Sequence, residues 1–289
     1  MFLPHKLLEE KLRKIFAEDM GQGDITTALI IPEKCEAKAE IIAKEAGIAA
    51  GLEEATILLE SLGIKTQALV VDGEKIEKKQ VLLLLSGDAQ TILAVERTLL
   101  NILSRMSGIA TATRRLVETL QKAKLKTKIA CTRKTAPGLL YFDKKAVLLG
   151  GGDTHRLHLD DMVLIKDNHI AAAKSLENAV KMVKEKVSFS KKIEVEVTKV
   201  KDVLITANIG VDIIMLDNFS PKQIEKAREL LKREGFLGKV LLEASGGITS
   251  ENVLKFARTG VDIVSLGEIT DSPKALDISL ELREIRKQK

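Results

Sequence analysis

The 289-residue chain has no tryptophan and one tyrosine, and aromatic residues make up only 3% of it. That scarcity excludes the stacking platforms on which single-stranded nucleic acids are read. Cysteine is nearly absent too: Cys35 and Cys131 are the only two. Two thiols in so long a chain build no disulfide framework and point to a reducing, cytoplasmic compartment. No run approaches 18 consecutive apolar residues, so no segment reads as a membrane-spanning helix. The opening stretch MFLPHKLLEEKLRKIFAED mixes apolar and charged residues at helical spacing and lacks the apolar core of a signal peptide. An excess of one charge sign is missing as well. The net charge of +5 comes from 46 basic and 41 acidic residues. With the lysines and arginines spread among glutamates, this fits a site for small acidic molecules better than a nucleic-acid surface.

What is present is ordinary globular material: 45% hydrophobic and 30% charged residues, enough for a sizeable core. Residues 6–18 read as an amphipathic helix with Leu7, Leu8, Leu12, Ile15 and Phe16 on one face. GQGDITT reads as a turn leading into a short strand. KAEIIAKEAGIAAG, KTQALVVDG and KKQVLLLLSG read as short strands broken by glycine turns, with one helix, GLEEATILLESLG, among them. A long helix is predicted over about 89–122, where apolar residues recur every three and four positions.

From Lys128 the pattern changes. Six short apolar runs follow: KIACTRK, MVLIKDNH, KIEVEV, DIIMLDN, KVLLEASGG and DIVSLGE. Helix-like segments such as SPKQIEKARELLKREG separate most of them. Alternating strands and helices predict a parallel sheet. Runs apolar on both faces fit buried parallel strands. A closed or incomplete α/β barrel is the expected solution, with an open doubly wound sheet as the alternative.

In such barrels chemistry is built where the strands end. Those ends supply Arg133 and Lys134, Lys166, Glu196, Asp217, Ser245 with Gly246 and Gly247, and Ser265 with Gly267. His155 and Arg156 lie in the glycine-rich loop before the second run. One charge at a strand end is ordinarily where the chain meets water, but six such ends in succession, bearing both signs, are harder to dismiss. The cations Arg133, Lys134, His155, Arg156 and Lys166 suit a multiply charged anion. Glu196 and Asp217 suit sugar hydroxyls, a divalent metal or a developing positive charge. As a structural alternative, Asp217 caps the helix opened by SPKQ. The glycine loops SGG and SLGE suit a phosphate held on backbone N–H groups. The spacing of His155, His158 and His169 matches no compact zinc pattern, and Cys131 reads as core.

TRKTAPGLL (132–140), GGGDTHRLHLDDMVLIKDNH (150–169), EVEV, LDN, EASGGI and SLGEIT together resemble the quinolinate phosphoribosyltransferase family, as do ERTLLNILSRMSGIATAT (96–113) and EDMGQGDITT (18–27). The resemblance implies an N-terminal α/β sandwich domain over 1–108, to which the tail 273–289 returns, and an incomplete α/β barrel over 109–272. It implies transfer of phosphoribose from phosphoribosyl pyrophosphate to quinolinate with loss of CO2, giving nicotinate mononucleotide and pyrophosphate in NAD biosynthesis. Lys134, Lys166, Glu196 and Asp217 are then the catalytic set. Magnesium is the cofactor, held mainly by the substrate pyrophosphate with Glu196 and Asp217 as further ligands. A homodimer with shared active sites is implied, with a hexamer of dimers as a larger assembly. Arg97, in ERT, matches the residue lent by the partner subunit. His158 departs from the small residue expected there.

Three rivals share parts of this pattern: a paralogue acting on a related acid, a non-catalytic anion-binding barrel, and a Schiff-base barrel with Lys166 as the amine. The complete cationic set argues against the first two. Asp167 and Asn168 beside Lys166 argue against the apolar site that the third requires.

Overall fold

The computed structural model describes residues 3–287. Contacts divide the chain into two units. The first comprises Met1–Arg114, Tyr141–Gly151 and Pro273–Lys289; the second comprises Arg115–Leu140 and Gly152–Ser272.

The first unit opens with α1 (His5–Met20), which buries Leu8 and Leu12. Leu7 points out and is half exposed, so the inward face is narrower than the sequence pattern suggested. The segment read as a turn into a strand is instead α2 (Ile25–Ile30). Its N-cap decides this: the Asp24 carboxylate accepts the Thr27 backbone N–H at 3.0 Å, which outweighs the strand preference of the β-branched residues after it. Next come β1 (Cys35–Ala43), β2 (Gly47–Ile48), α3 (Leu52–Ser61), β3 (Lys65–Ala68), β4 (Lys75–Ile76), β5 (Val81–Asp88) and the long helix α4 (Ala89–Lys122). In β1 the burial alternates over Cys35, Ala37, Ala39 and Ile41, as a strand with one covered face requires.

The second unit begins its sheet with β6 (Lys128–Cys131); the chain then returns to the first unit for α5 (Leu140–Leu149), a helix the sequence pattern did not indicate. Then come β7 (Val163–Ile165), α6 (Asp167–Ala172), α7 (Leu176–Lys184), β8 (Ile193–Val197), α8 (Val200–Ile209), β9 (Ile213–Asp217), α9 (Pro221–Arg233), β10 (Leu241–Ser245), α10 (Val253–Ala257), β11 (Ile263–Leu266) and α11 (Glu268–Asp271). The last strand, β12 (Ile278–Lys287), pairs antiparallel with β1 in a four-stranded sheet of order β12-β1-β5-β3. Within the first unit α5 brings an ion network: Asp143 accepts from Arg105 Nε at 2.7 Å and from Arg105 Nη2 at 2.8 Å. The neighbouring Lys145 Nζ lies 2.7 Å from the buried Glu54.

The six apolar runs are six parallel strands in the order β6-β11-β10-β9-β8-β7. Each successive strand from β7 to β11 lies beside the one before it, and β6 joins at β11. That is barrel order with one pairing missing, between β6 and β7. The free edge of β6 is held by a single residue: Asp153 accepts the Cys131 N–H and donates to the Ile129 carbonyl. The incomplete barrel follows, because the chain makes one parallel bridge there and then leaves the sheet.

Candidate active site

Side chains of a strand alternate between faces, so inward positions recur every second residue. Applied to the six strands, this rule gives two inward layers. The outer layer at the C-terminal ends is Arg133, Lys166, Glu196, Asp217, Ser245 and Gly267. The layer beneath is Cys131, Leu164, Glu194, Met215, Glu243 and Ser265. A cleft of about 610 Å³ opens over these layers, and its lining includes every barrel residue singled out from the sequence: Arg133, Lys134, His155, Arg156, Lys166, Glu196, Asp217, Ser245, Gly246, Gly247, Ser265 and Gly267. Arg97 is not among the lining residues; it stands exposed on α4 in the first unit.

The charges fall into distinct environments. Arg133 and Lys134 are exposed and Arg156 is half-buried. Among the described residues none of the three has a carboxylate within 4.0 Å. Burial, and then the nearby Arg133 guanidinium, push the Arg156 pKa down. Two guanidiniums near one another, neither of them in a salt bridge, favour an anion. Lys166 differs: its Nζ lies 2.5 Å from Glu196 Oε2, so this lysine is already paired. Asp217 does not cap a helix. Ser220 does, accepting from Gln223 N–H, and Asp217 accepts from Asn218 Nδ2 at 2.7 Å.

The loop after β10 is shaped by backbone constraint. Gly246 and Gly247 have φ of +88° and +63°, and Asn218 opposite has φ +55°. A Cβ on Gly246 would meet Asn218 Oδ1 at 2.4 Å, so only glycine lets the two loops approach this closely. The loop after β6 is tied to α11, where Thr270 Oγ1 donates to the Lys134 carbonyl at 2.8 Å. That bond fixes where Lys134 leaves the strand.

The layer beneath holds what sequence reading missed. Glu194 and Glu243 are fully buried. His155 Nε2 lies 3.2 Å from an oxygen of each. Ser265 Oγ donates to Glu243 at 2.6 Å, so the Ser265 hydroxyl is spent inside the barrel. Burial opposes a charge on His155, but the two carboxylates outweigh it and push its pKa up to about 10. Burial also pushes Glu194 up, against the opposing pull of His155. The signal was available: EVEV and LLEAS each carry a glutamate two residues before, or at the same inward register as, the strand-end residue, and a charge at that register lies in the barrel interior.

Among the described residues three clusters have metal-ligand spacing: His155, Glu194 and Glu243 in the barrel; the exposed His158, Asp160 and Asp161; and Glu53, Glu54 and Asp72 in the first unit. In the first, His155 Nδ1 accepts the Arg156 N–H at 2.8 Å. Nε2 faces the two carboxylates as a donor rather than as a ligand.

The chain as a whole has relatives among known proteins. The C-terminal domain of quinolinate phosphoribosyl transferase matches residues 109–281, and the N-terminal domain of the same family matches residues 24–107. The chain belongs to the quinolinate phosphoribosyltransferase family. It is 44% identical over 275 residues to a probable nicotinate-nucleotide pyrophosphorylase (carboxylating) of Methanothermobacter thermautotrophicus, covering 95% of this chain and 99% of the relative. A nicotinate-nucleotide pyrophosphorylase (carboxylating) of Rattus norvegicus is 36% identical, covering 88% and 85%. Among solved structures, the nicotinate-nucleotide pyrophosphorylase of Francisella tularensis superposes with a TM-score of 0.89 at 37% identity, covering 98% of both chains. As a member of the quinolinate phosphoribosyltransferase family the chain is a phosphoribosyl-transferring enzyme. No helix among its described residues is long and apolar enough to cross a membrane.

Proposed function

We propose that this chain transfers phosphoribose from phosphoribosyl pyrophosphate to the ring nitrogen of quinolinate, with loss of CO2, to give nicotinate mononucleotide. The observation that carries this reading is the group of three unpaired cations, Arg133, Lys134 and Arg156, in one cleft with Glu196, Asp217 and two glycine loops. Quinolinate is a dicarboxylate, and a cluster of cations free of salt bridges favours it over a monoanion. The glycine loops after β10 and β11 suit the 5′-phosphate through backbone N–H groups.

In the transfer, the bond from C1′ to the pyrophosphate oxygen breaks with its electron pair, and positive charge develops on the ribose. Glu196 and Asp217 stabilise that charge. The ring nitrogen lone pair then forms the new bond to C1′ and becomes cationic. Next the bond between C2 and its carboxylate breaks, and CO2 departs. The electron pair stays on C2 beside the positive nitrogen until a proton replaces the lost carboxylate. Arg133, Lys134 and Arg156 hold the remaining carboxylate, while Lys166, paired to Glu196, orients that carboxylate toward the ribose.

Magnesium fits the donors present. Glu196 and Asp217 offer hard oxygen atoms, but they belong to no close group of three ligands among the described residues. The ion would therefore be held mainly by pyrophosphate oxygens, where it offsets the leaving group's charge. Arg97, exposed and outside the cleft lining, would serve the site of a second copy in a homodimer. Exclusion of water from the cytoplasmic enzyme's site would then depend on dimer formation. Lys134→Ala and Arg156→Ala should each abolish quinolinate turnover, assayed by chromatography of nicotinate mononucleotide; near-normal turnover in either would overturn these roles.

A further inference from the structure

The phosphoribosyl transfer described above gives no task to Glu194 and Glu243, yet both carboxylates are fully buried on inward positions of β8 and β10. Burying two carboxylates side by side is costly unless something holds them there. Among the described residues, His155 is the one basic side chain in ion-pair reach of either. His155 is itself unusual. Its φ of +51° puts a non-glycine residue in the left-handed region, which is retained only where surrounding contacts impose it. The His155 N–H donates to Asp153 Oδ1 at 2.8 Å, Nε2 faces the two glutamates, and Nδ1 accepts the Arg156 N–H at 2.8 Å. The side chain is only 11% exposed. Nε2 thus stands in ion-pair reach of both glutamates, and Nδ1 is occupied by the Arg156 N–H.

We infer that His155 is a positioning residue: anchored on Glu194 and Glu243 through Nε2, it holds the Arg156 backbone through Nδ1 and so aims the Arg156 guanidinium into the cleft. The chain of contacts runs from Ser265 to Glu243, from Glu243 to His155, and from His155 to Arg156. Each link is a side chain on a rigid strand or on the segment that bridges β6. A guanidinium that must meet a planar carboxylate gains most from being fixed in advance. This inference deepens the proposed function, since it rests on Arg156 holding quinolinate.

The two nitrogens can be separated by substitution in the full-length enzyme. Asparagine at 155 keeps an acceptor close to the Nδ1 position and tolerates the left-handed backbone; glutamine keeps a donor close to Nε2 and loses the acceptor. Quinolinate dissociation constants are measured by titration calorimetry for His155→Gln, His155→Asn, Glu243→Gln, Arg156→Ala and the double variant His155→Gln/Arg156→Ala, with circular dichroism to check folding. His155→Gln should weaken quinolinate about tenfold in the parent chain and less than about twofold when Arg156 is already alanine, because its effect passes through Arg156. His155→Asn, which keeps the acceptor but gives up the Nε2 anchor, should weaken quinolinate about threefold, less than glutamine does, and Glu243→Gln should weaken it by a similar factor with the KM for phosphoribosyl pyrophosphate unchanged. The inference is overturned if His155→Gln costs the same in both backgrounds, as a direct substrate contact would, or if asparagine is as poor as glutamine. If Arg156→Ala alone leaves quinolinate binding intact, the underlying role of Arg156 fails, and that result is recognisable without the double variant. Should His155→Gln not fold, the asparagine and Glu243→Gln variants still decide between the two roles.

Discussion

Replacing Arg133 with glutamine separates binding from stability in a way the structure specifies. Arg133 is exposed and unpaired, and it lies close enough to Arg156 to push that residue's pKa down. In the free enzyme its charge therefore works against its neighbour. With a carboxylate bound, the same charge becomes favourable. A cation and an anion about 4 Å apart gain roughly 4 kcal/mol at an effective dielectric near 20. Desolvation offsets part of this, and hydrogen bonds to charged groups are worth about 1.5–3 kcal/mol net. A loss of about 2–3 kcal/mol corresponds to a fall of roughly 30- to 160-fold in kcat/KM for quinolinate. Because the side chain is exposed, thermal stability should shift by less than about 0.5 kcal/mol, and upward rather than downward since a like-charge contact is relieved. Steady-state kinetics with each substrate varied in turn, alongside thermal melts, checks both halves. A quinolinate kcat/KM within about threefold of the parent, or an equal rise in the KM for phosphoribosyl pyrophosphate, would refute the reasoning.

Two further perturbations probe the scaffold. Asp143→Asn leaves the Arg105 guanidinium facing a neutral group inside the first unit, where the bidentate pair now lies at 2.7 and 2.8 Å. Breaking a buried pair of this kind should cost about 3 kcal/mol, read as a lower urea midpoint; an unchanged midpoint would show that the pair is dispensable. Gly246→Ala drives a Cβ into Asn218 at a φ of +88°. It should cost about 1–3 kcal/mol of stability. It should also lower kcat/KM for phosphoribosyl pyrophosphate by about a hundredfold, because the phosphate loop must move. Normal kinetics would remove that loop from the site.

Much of the second unit was legible in the sequence because buried parallel strands have a simple signature. Runs such as DIIMLDN and KVLLEASGG are mostly apolar and end on polar or glycine residues, and each forms a strand with its terminal residue at the cleft. Legibility failed where a local contact or a long-range pairing overrides the pattern. Asp24 turned an apparent strand into α2 through one capping hydrogen bond. Helix α5 gave no signal because it buries the charged residues Asp143, Lys144 and Lys145; the partners of Asp143 and Lys145 lie far away in the chain, so these charges masked the buried face. Glu194 and Glu243 gave no signal for a different reason: each stands as a single charge within a run read as apolar on both faces, and only strand register points it inward to His155. Periodicity gives position, but whether a buried charge is tolerated depends on a partner that periodicity does not show.

The most direct test of the central claim is a product assay on the purified full-length enzyme. Protein, magnesium and phosphoribosyl pyrophosphate are incubated with quinolinate labelled in the 2-carboxylate, and with nicotinate in a parallel reaction. The account predicts nicotinate mononucleotide from quinolinate with one equivalent of labelled CO2, little product from nicotinate, and none from quinolinate once magnesium is chelated. Turnover of nicotinate without turnover of quinolinate would contradict it.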